Sequence, residues 1–364
     1  MSTISSFHGS DLEKVAEHYK IPKDSIVNFG ANVNPLGLSE KVKGEVARHL
    51  DIISSYPDRE YTDLRRVIGS YCHVSPDYVM VGNGSTELIA LLIEQRCPKK
   101  TLILGPTYSE YARELSFSES IQEYYHLNPD ENFRLDISDF TKKLQNCYDL
   151  LIICNPNNPT SSAVTTEEMR RILEICRELQ TFVMVDETYV EFASDVSEVT
   201  AMSLVEDFDN LMILRGVSKF FAAPGLRLGY GVTGNTSFLA AVKEHQIPWS
   251  LNSIGAFAGK LMLEDTEYIQ KTRSLILSER ARMLQELRRF PQITVYEAQA
   301  NFILIHIHKD RITAADVFVS CIKNGLMIRD CSSFQCLEGE YVRFCIMRPE
   351  DNLRLLKALG ETIS

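Results

Sequence analysis

From about residue 80 onward, the chain alternates short apolar runs with longer amphipathic segments. Apolar runs that end in polar or turn residues include TLILGP, DLLIICNPNNP, TFVMVDETYVEF and LMILRGVSK, a pattern typical of buried strands. Between two of these runs, TTEEMRRILEICREL has apolar residues at helical spacing, a threonine cap and early glutamates. Strands that alternate with helices predict an α/β fold with a mainly parallel sheet covered by helices.

The last part of the chain has a different pattern. ITVYEAQANFILIHI and EYVRFCIM alternate apolar and polar positions only partially, and the helical segment LSERARMLQELRRF precedes them. We therefore expect a large domain over residues 46–272 and a smaller α+β domain over residues 273–364. The N-terminal segment, residues 1–45, is expected to contribute to the smaller domain.

Length and charge exclude several classes of protein. The chain has 364 residues, and single cores stop growing at roughly 250–300 residues, so two domains are expected. A net charge of −11 predicts no general nucleic-acid or anionic-membrane partner, because either would be repelled. No apolar stretch approaches the ~20 residues that span a bilayer, and the start MSTISSFHGSDLEK lacks the features of a secretion signal.

Cysteine and histidine usage bears on compartment and metal binding. The nine cysteines lack metal-type spacing and often stand inside apolar runs, which indicates free thiols in a reducing compartment. We therefore expect a cytoplasmic protein. The histidines also lack ligand spacing, so no metal site is predicted.

Polar and aromatic side chains follow the apolar runs at the point where each run ends. Tyr108 follows TLILGP, and Asn157 and Asn158 follow LLIIC. Asp186 ends the run FVMVD, and Lys219 comes soon after LMIL. Because ligands of open α/β sheets bind beyond the carboxyl ends of the strands, we expect these groups to converge on one rim.

The stretch GNGSTELIALL predicts an anion site. Gly82 and Gly84 permit a tight turn, and Ser85 and Thr86 would begin a helix whose free N–H groups and dipole suit a phosphate. Arg227 would add a bidentate cationic group. A phosphate site, an aromatic ring for stacking, a carboxylate for a ring cation and an amine for a carbonyl together describe a site for pyridoxal 5′-phosphate.

Four ordered motifs, GNGSTE, CNPNNPT, DETYVEF and SKFFAAPGLRLG, resemble the signatures of fold-type I, class I/II aminotransferase-like enzymes over essentially the whole chain. The resemblance implies the fold-type I PLP-dependent transferase fold, with Lys219 bonded to the cofactor aldehyde and Asp186 paired with the pyridine nitrogen. Asn158 and Tyr189 would hydrogen-bond the phenolic oxygen, and Tyr108 would stack on the ring. The residues that would hold the phosphate are Ser85, Thr86, Ser218 and Arg227.

The resemblance also implies a homodimer with shared active sites. In relatives a tyrosine of the neighbouring subunit reaches the phosphate, and Tyr56 in SSYPD matches its position. The chemistry accounts for the two catalytic residue types. Burial near other cations lowers a lysine pKa, so Lys219 can lose its proton to bond the aldehyde and later transfer protons. Asp186 would keep the ring nitrogen protonated.

Segments outside these motifs bear on the reaction. FHGSDLEKVAEHYKI, NFGANVNPLG, SYPDREYTDLRR and HQIPWSLNSIGAFAG are similar to the threonine-phosphate decarboxylase subfamily of cobalamin biosynthesis. The resemblance implies decarboxylation of L-threonine O-3-phosphate to (R)-1-aminopropan-2-yl phosphate. The substrate, a small phosphorylated amino acid, would be bound by His8, Asn32, Asn157, Arg329 and Arg343.

Three alternatives stay open at this point. One is a histidinol-phosphate aminotransferase that uses 2-oxoglutarate or glutamate, one is a decarboxylase of L-serine O-phosphate, and one is a catalytically inactive regulatory homologue. Three departures from the family pattern bear on the substrate more than on the cofactor. Ser10 replaces the second glycine of an HGG element, Ser161 follows NNPT where Gly is usual, and Gly216 stands where relatives often have Ser or Thr.

Overall fold

Strands and helices alternate through most of the protein in the computed structural model, which describes residues 11–363. His8 and Ser10 lie outside the described residues. The strands are β1 (Val27–Asn28), β2 (Val79–Asn83), β3 (Lys100–Gly105), β4 (Ile121–His126), β5 (Leu150–Cys154), β6 (Phe182–Asp186), β7 (Leu211–Gly216), β8 (Leu228–Val232), β9 (Ile293–Val295), β10 (Phe302–Ile307), β11 (Leu326–Met327), β12 (Arg329–Asp330) and β13 (Tyr341–Cys345).

Most of the helices follow the strands that they cover. They are α1 (Leu12–Tyr19), α2 (Glu40–Arg48), α3 (Thr62–Cys72), α4 (Ser85–Arg96), α5 (Glu110–Ser116), α6 (Ile137–Leu144), α7 (Thr166–Glu178), α8 (Thr236–His245), α9 (Ser253–Leu263), α10 (Thr266–Leu287), α11 (Ala314–Lys323) and α12 (Pro349–Ile363). Short 3₁₀ helices cover Lys23–Ser25, Leu50–Ser54, Pro76–Tyr78, Pro129–Glu131, Val190–Phe192, Met202–Leu204 and Pro224–Leu226. No helix of the described part is both long enough and apolar enough to cross a membrane.

A seven-stranded sheet in the order β2-β8-β7-β6-β5-β3-β4 forms the centre of the larger lobe. Strands β3 to β7 are mutually parallel, whereas β8 runs antiparallel to both β7 and β2. In β5, Leu150 and Ile152 pack into one apolar cluster, and Leu151 and Ile153 pack into another. Both faces of the sheet are therefore buried, as the continuous apolar runs require. The predicted mainly parallel, helix-covered sheet is confirmed.

Two smaller sheets complete the fold. One is antiparallel, in the order β12-β13-β10-β9, and the other pairs β1 in parallel with β11. In the second sheet Val27 lies opposite Leu326, so a strand near the beginning of the chain packs with its last part. The division at residues 45 and 272 stays a prediction.

A buried ion pair lies behind the carboxyl end of β6. Glu187 is fully buried, and its Oε2 accepts hydrogen bonds from Arg215 Nε at 3.0 Å and Nη2 at 2.7 Å. Thr200 Oγ1 and the Ala201 N–H also donate to this carboxylate, at 2.8 and 2.6 Å. Successive residues of an extended chain point to opposite sides, so Glu187 turns away from the site that its neighbour Asp186 faces.

We expect Glu187→Ala to lower the free energy of unfolding by about 3–5 kcal/mol, because it leaves the Arg215 guanidinium buried and unpaired. Urea denaturation measures this loss. The exposed pair of Glu286 with Arg289 provides the control, and Glu286→Ala should change the same quantity by less than about 1 kcal/mol. Equal effects of the two substitutions would contradict the assignment of Glu187 as a structural anion.

Candidate active site

The turn between β2 and α4 builds the predicted anion site. Gly84 precedes α4 with φ of +82°, and no side chain among residues 11–363 caps this helix start. The first N–H groups of α4, from Ser85 and Thr86 onward, are therefore left for a ligand. A Cβ atom on Gly84 would lie 2.3 Å from Arg227 Nη2, and one on Gly229 would lie 2.3 Å from the Ser85 nitrogen. The glycines thus let a guanidinium and a strand approach the helix start closely.

Lys219 and Arg227 lie in the loop that joins β7 to β8. Gly216 at the end of β7 pairs with Gly229 at the start of β8. Because β8 is antiparallel, Arg227 returns to the rim at which the parallel strands end. Ser218, in the same loop, is partly exposed.

The amine of Lys219 is held in a cationic environment. Its Nζ donates a hydrogen bond of 2.8 Å to the carbonyl of Ala31. Burial lowers the pKa of Lys219 to about 8, and the charges of Arg343 and Arg227 act in the same direction. A neutral amine, the form that attacks an aldehyde, is therefore accessible near neutral pH.

Asp186 is a buried carboxylate, 4% exposed, with donors on both oxygens. Tyr111 O–H donates to Oδ2 at 2.7 Å, and Thr188 donates to Oδ1 through its main-chain N–H at 3.0 Å and its hydroxyl at 2.5 Å. Burial raises the pKa of Asp186, and the bonds from Thr188 and Tyr111 oppose this shift. The donors favour the ionised form that a ring cation needs.

Tyr111 is a site residue that the sequence reasoning missed. Its ring meets that of Tyr108 edge to face, with centroids 5.6 Å apart. Tyr108 is half-buried, whereas Tyr111 is fully buried. The signal was present in the sequence, because a second tyrosine three residues beyond a strand-end tyrosine can face the same rim.

Four further side chains lie next to the carboxylate of Asp186 and the amine of Lys219. They are those of Asn158, Tyr189, Asn32 and Arg343. Asn32 Nδ2 donates to the Tyr189 hydroxyl at 3.3 Å, and Arg343 Nη1 donates to Asn158 Oδ1. Arg343 Nη2 donates to the carbonyl of Gly30 at 2.8 Å. Its Nε, buried, has no hydrogen-bond partner among residues 11–363. One N–H of this guanidinium is therefore available to an anion.

Arg329 lies on the strand next to Arg343, and the two residues are directly opposite in the β12–β13 register. Arg329 Nη2 donates to Ser333 Oγ at 2.8 Å, and the guanidinium lies 5.5 Å from the ring centroid of Phe334. Burial lowers the pKa of Arg329, while the carboxylate of Asp11 is among the charges that act against this shift. Two buried guanidinium groups thus lie side by side.

Two of the predicted site residues, Asn157 and Tyr56, make contacts other than the predicted ones. The Asn157 amide is used within its own turn. Its Nδ2 donates to Pro106 O at 2.8 Å and Thr160 Oγ1 at 2.9 Å, and its Oδ1 accepts from Thr107 Oγ1 at 2.9 Å. Tyr56 is 81% exposed and packs beside Trp249. The substrate contact of Asn157 and the phosphate contact of Tyr56 stay predictions.

The donor set fits pyridoxal 5′-phosphate. Uncapped helix N–H groups and Arg227 suit a phosphate, the buried carboxylate of Asp186 suits a ring N–H cation, and the amine of Lys219 suits an aldehyde. Within the described residues, no cluster of three or more His, Cys, Asp or Glu side chains could hold a metal. Fold and donor set together define a pyridoxal-phosphate-dependent enzyme of the aminotransferase type.

The comparisons with known proteins give the family. The model of the family "Aminotransferase class I and II" matches residues 24–359, and the chain belongs to this family. It is 30% identical over 364 residues to a threonine-phosphate decarboxylase of Salmonella typhimurium, covering 100% of this chain and 98% of that protein. It is 31% identical over 358 residues to a histidinol-phosphate aminotransferase of Methanothermobacter thermautotrophicus, covering 98% and 94%.

A solved structure agrees with the fold. The histidinol-phosphate aminotransferase of Sinorhizobium meliloti, in complex with pyridoxal-5′-phosphate, has a TM-score of 0.83 to this chain at 20% identity. The superposition covers 100% of this chain and 99% of that one. Pyridoxal 5′-phosphate is the cofactor of the protein, as the sequence predicts.

We expect covalent capture of pyridoxal 5′-phosphate to increase with pH through a midpoint of about 8, because only the neutral amine of Lys219 attacks the aldehyde. The measurement is the amount of cofactor fixed by borohydride on the Lys219 peptide at each pH. Lys219→Ala should capture no cofactor at any pH. A midpoint near 10.5, the value of a solvated lysine, would show that this environment does not act on Lys219.

We expect Tyr111→Phe to bind the cofactor about tenfold more weakly, because a hydrogen bond to a charged group contributes about 1.5–3 kcal/mol. The loss should grow as the pH falls, since the substitution raises the pKa of Asp186 and a protonated carboxyl no longer attracts the ring cation. Equilibrium binding at several pH values measures both effects. Tyr230→Phe is the matched control, because this fully buried hydroxyl faces the Cys72 thiol. Parallel changes in both variants would refute the role of Tyr111.

Proposed function

We propose that this enzyme decarboxylates L-threonine O-3-phosphate to (R)-1-aminopropan-2-yl phosphate in cobalamin biosynthesis. The observation that supports this most directly is the pair of buried arginines on adjacent strands, Arg329 and Arg343, of which Arg343 acts on the amine of Lys219. The substrate carries a carboxylate and a phosphate, and two guanidinium groups are the expected complement of two anions. The full-length similarity to a threonine-phosphate decarboxylase supports the same substrate class.

The N-terminal segment supports this substrate as well. Asp11 lies close enough to Arg329 for its charge to act on that guanidinium. His8, which the resemblance assigns to substrate binding, precedes Asp11 by three positions. We propose that His8 and Asn32 bind the substrate, with Asn32 fixed through its bond to Tyr189. Asn157 holds the turn that carries Asn158, and we include it among the proposed substrate-binding residues.

Bound pyridoxal 5′-phosphate supplies a protonated ring that accepts the electron pair released when a bond to the substrate Cα breaks. Asp186 would hold the proton on the ring nitrogen, and Tyr108 would stack on the ring. Asn158 and Tyr189 would hydrogen-bond the phenolic oxygen. The helix start at Ser85 and Thr86, with Ser218 and Arg227, anchors the phosphate. Tyr56 of a second subunit adds a further phosphate contact.

The arginines decide which bond breaks. A substrate held with its carboxylate in the departing position would lose CO₂, and one held with its Cα–H bond in that position would lose a proton instead. Arg343 and Arg329 set this orientation through the two substrate anions. The amine of Lys219 would return a proton to the substrate Cα. Its lowered pKa lets the amine exchange this proton near neutral pH.

A homodimer belongs to the same proposal. Tyr56 and Ile53 are 81% and 60% exposed, Trp249, which packs beside Tyr56, is 42% exposed, and Ile247, two positions before Trp249, is 73% exposed. Large apolar side chains exposed together mark interaction surfaces. A second copy that covers this surface would bring Tyr56 to the phosphate of its partner.

Histidinol-phosphate aminotransferase is the second candidate, supported by the relative that is 31% identical over 98% of the chain. That reaction also needs a phosphate site and a carboxylate site, because its amino partner is a dicarboxylate. It differs in the second substrate, which a decarboxylase does not require.

Incubation of the holoenzyme with L-threonine O-3-phosphate should release one CO₂ per substrate with no keto acid present. Radiolabelled CO₂ from carboxyl-labelled substrate is the measurement, with L-serine O-phosphate as the competing substrate. Arg343→Lys should reduce kcat/KM by about tenfold or more, because a lysine cannot reproduce the guanidinium contacts to Asn158, Gly30 and an anion. Turnover only with histidinol phosphate and 2-oxoglutarate would establish the second candidate instead, and turnover with none of these would favour the inactive homologue.

A further inference from the structure

Three consecutive main-chain carbonyls of residues 30–32, which we call the carbonyl strap, each accept a side-chain hydrogen bond. The first accepts from Arg343 Nη2 at 2.8 Å, the second from Lys219 Nζ at 2.8 Å and the third from Asn301 Nδ2 at 3.0 Å. Two of these donors belong to the candidate active site. Asn301 belongs to neither the motifs nor the predicted site, and its role needs a separate explanation.

Asn301 is a fully buried amide just before β10. Its Nδ2 donates to the strap, and its Oδ1 has no partner among residues 11–363. An unpaired buried polar atom lowers the stability of the folded protein by about 1–3 kcal/mol, so the Oδ1 of Asn301 is destabilising. The Nδ2 group offsets this cost, because its hydrogen bond holds the strap in place.

The segment Gln299–Asn301 is a rigid base for this contact. Ser161 accepts from Gln299 N through its carbonyl and from Ala300 N through its hydroxyl, both at 2.8 Å. Arg280 Nη1 donates to the carbonyls of Gln299 and Ala300, each at 2.8 Å. Ser161 adopts φ of +62°, a left-handed conformation, at the position where relatives usually have Gly. The serine hydroxyl thus adds a bond that glycine cannot make.

The strap itself is in a conformation that must be held. Asn32 has φ of +57°, which costs roughly 1–2 kcal/mol for a residue with a side chain. Rotation about its N–Cα bond turns the preceding peptide and with it the carbonyl of Ala31. The hydrogen bond from Asn301 fixes the peptide on the other side of Asn32. The bond from Asn301 thus restrains the strap at the residue next to the Ala31 carbonyl.

We propose that Asn301 is a positioning residue that, through the carbonyl of Asn32, holds the carbonyl of Ala31 against the amine of Lys219. This inference rests on the proposed role of Lys219 as the amine that bonds the cofactor. A carbonyl acceptor favours the protonated amine, whereas burial, Arg343 and Arg227 favour the neutral one, and the Cys345 thiol is the remaining titratable neighbour. Asn301 thereby adjusts the proton affinity of Lys219 from outside the site.

The test is the pH dependence of cofactor capture by full-length protein freed of its cofactor. Asn301→Leu removes the donor without leaving a cavity, and Asn301→Ala removes it with one. In both variants the midpoint of capture of added pyridoxal 5′-phosphate should shift to lower pH than in the wild type. Capture at high pH should also slow by about three- to tenfold, because the amine is no longer held in one orientation.

Asn352→Ala is the matched control. Asn352 is also a fully buried asparagine that donates to a main-chain carbonyl, that of Met347 at 2.8 Å, but it lies on α12 and bonds Glu279 rather than the strap. It should lower Tm and leave the capture profile unchanged. Asn301 variants that lose thermal stability but keep the wild-type midpoint and rate would overturn the inference. If Lys219→Ala also captures cofactor normally, the proposed role of Lys219 fails instead.

Discussion

The excess of positive charge around Lys219 is the constraint on which the site depends. Arg227 and Arg343 both act on the amine, and burial removes the water that would screen them. Cations inside a protein are stable only when they are paired or hydrogen-bonded. A cofactor phosphate at the start of α4 would supply part of the missing charge. Under the proposed function an anionic substrate beside Arg343 would supply the rest, so the site would be electrostatically complete only with both ligands bound.

The protein holds these cations with dipoles in place of carboxylates. Arg343 donates a hydrogen bond to the main-chain carbonyl of Gly30, and Lys219 donates one to that of Ala31. A carboxylate at either position would neutralise the charge that the ligands need, whereas a carbonyl orients the cation and leaves its charge available. Behind the carboxyl end of β6, the carboxylate of Glu187 neutralises the charge of Arg215 in a buried ion pair. That pair stabilises the fold, whereas the cations of the site keep their charge for binding ligands.

Short sequence patterns predicted the fold and the rim of the site, because strand ends and helix caps are determined by residues that are close together in the chain. Lys219, Asp186 and Arg227 were found from their motifs, and the structure places them at one edge. Tyr111 was missed although its position three residues beyond Tyr108 was a usable signal, because its bond to Asp186, 75 positions away, is visible only in the fold. Asn301 was missed because its contact with the strap spans 269 positions. That contact follows from packing of the two ends of the chain, which no local pattern encodes.

The antiparallel direction of β8 has one more consequence. Lys219 and Arg227 share the loop between the paired residues Gly216 and Gly229, so the attachment point and the phosphate grip are set by one length of chain. An inserted or deleted residue in this loop would move both groups together against a helix start that stays in place. The length of this hairpin is thus constrained by two groups at once, in addition to the identity of its residues.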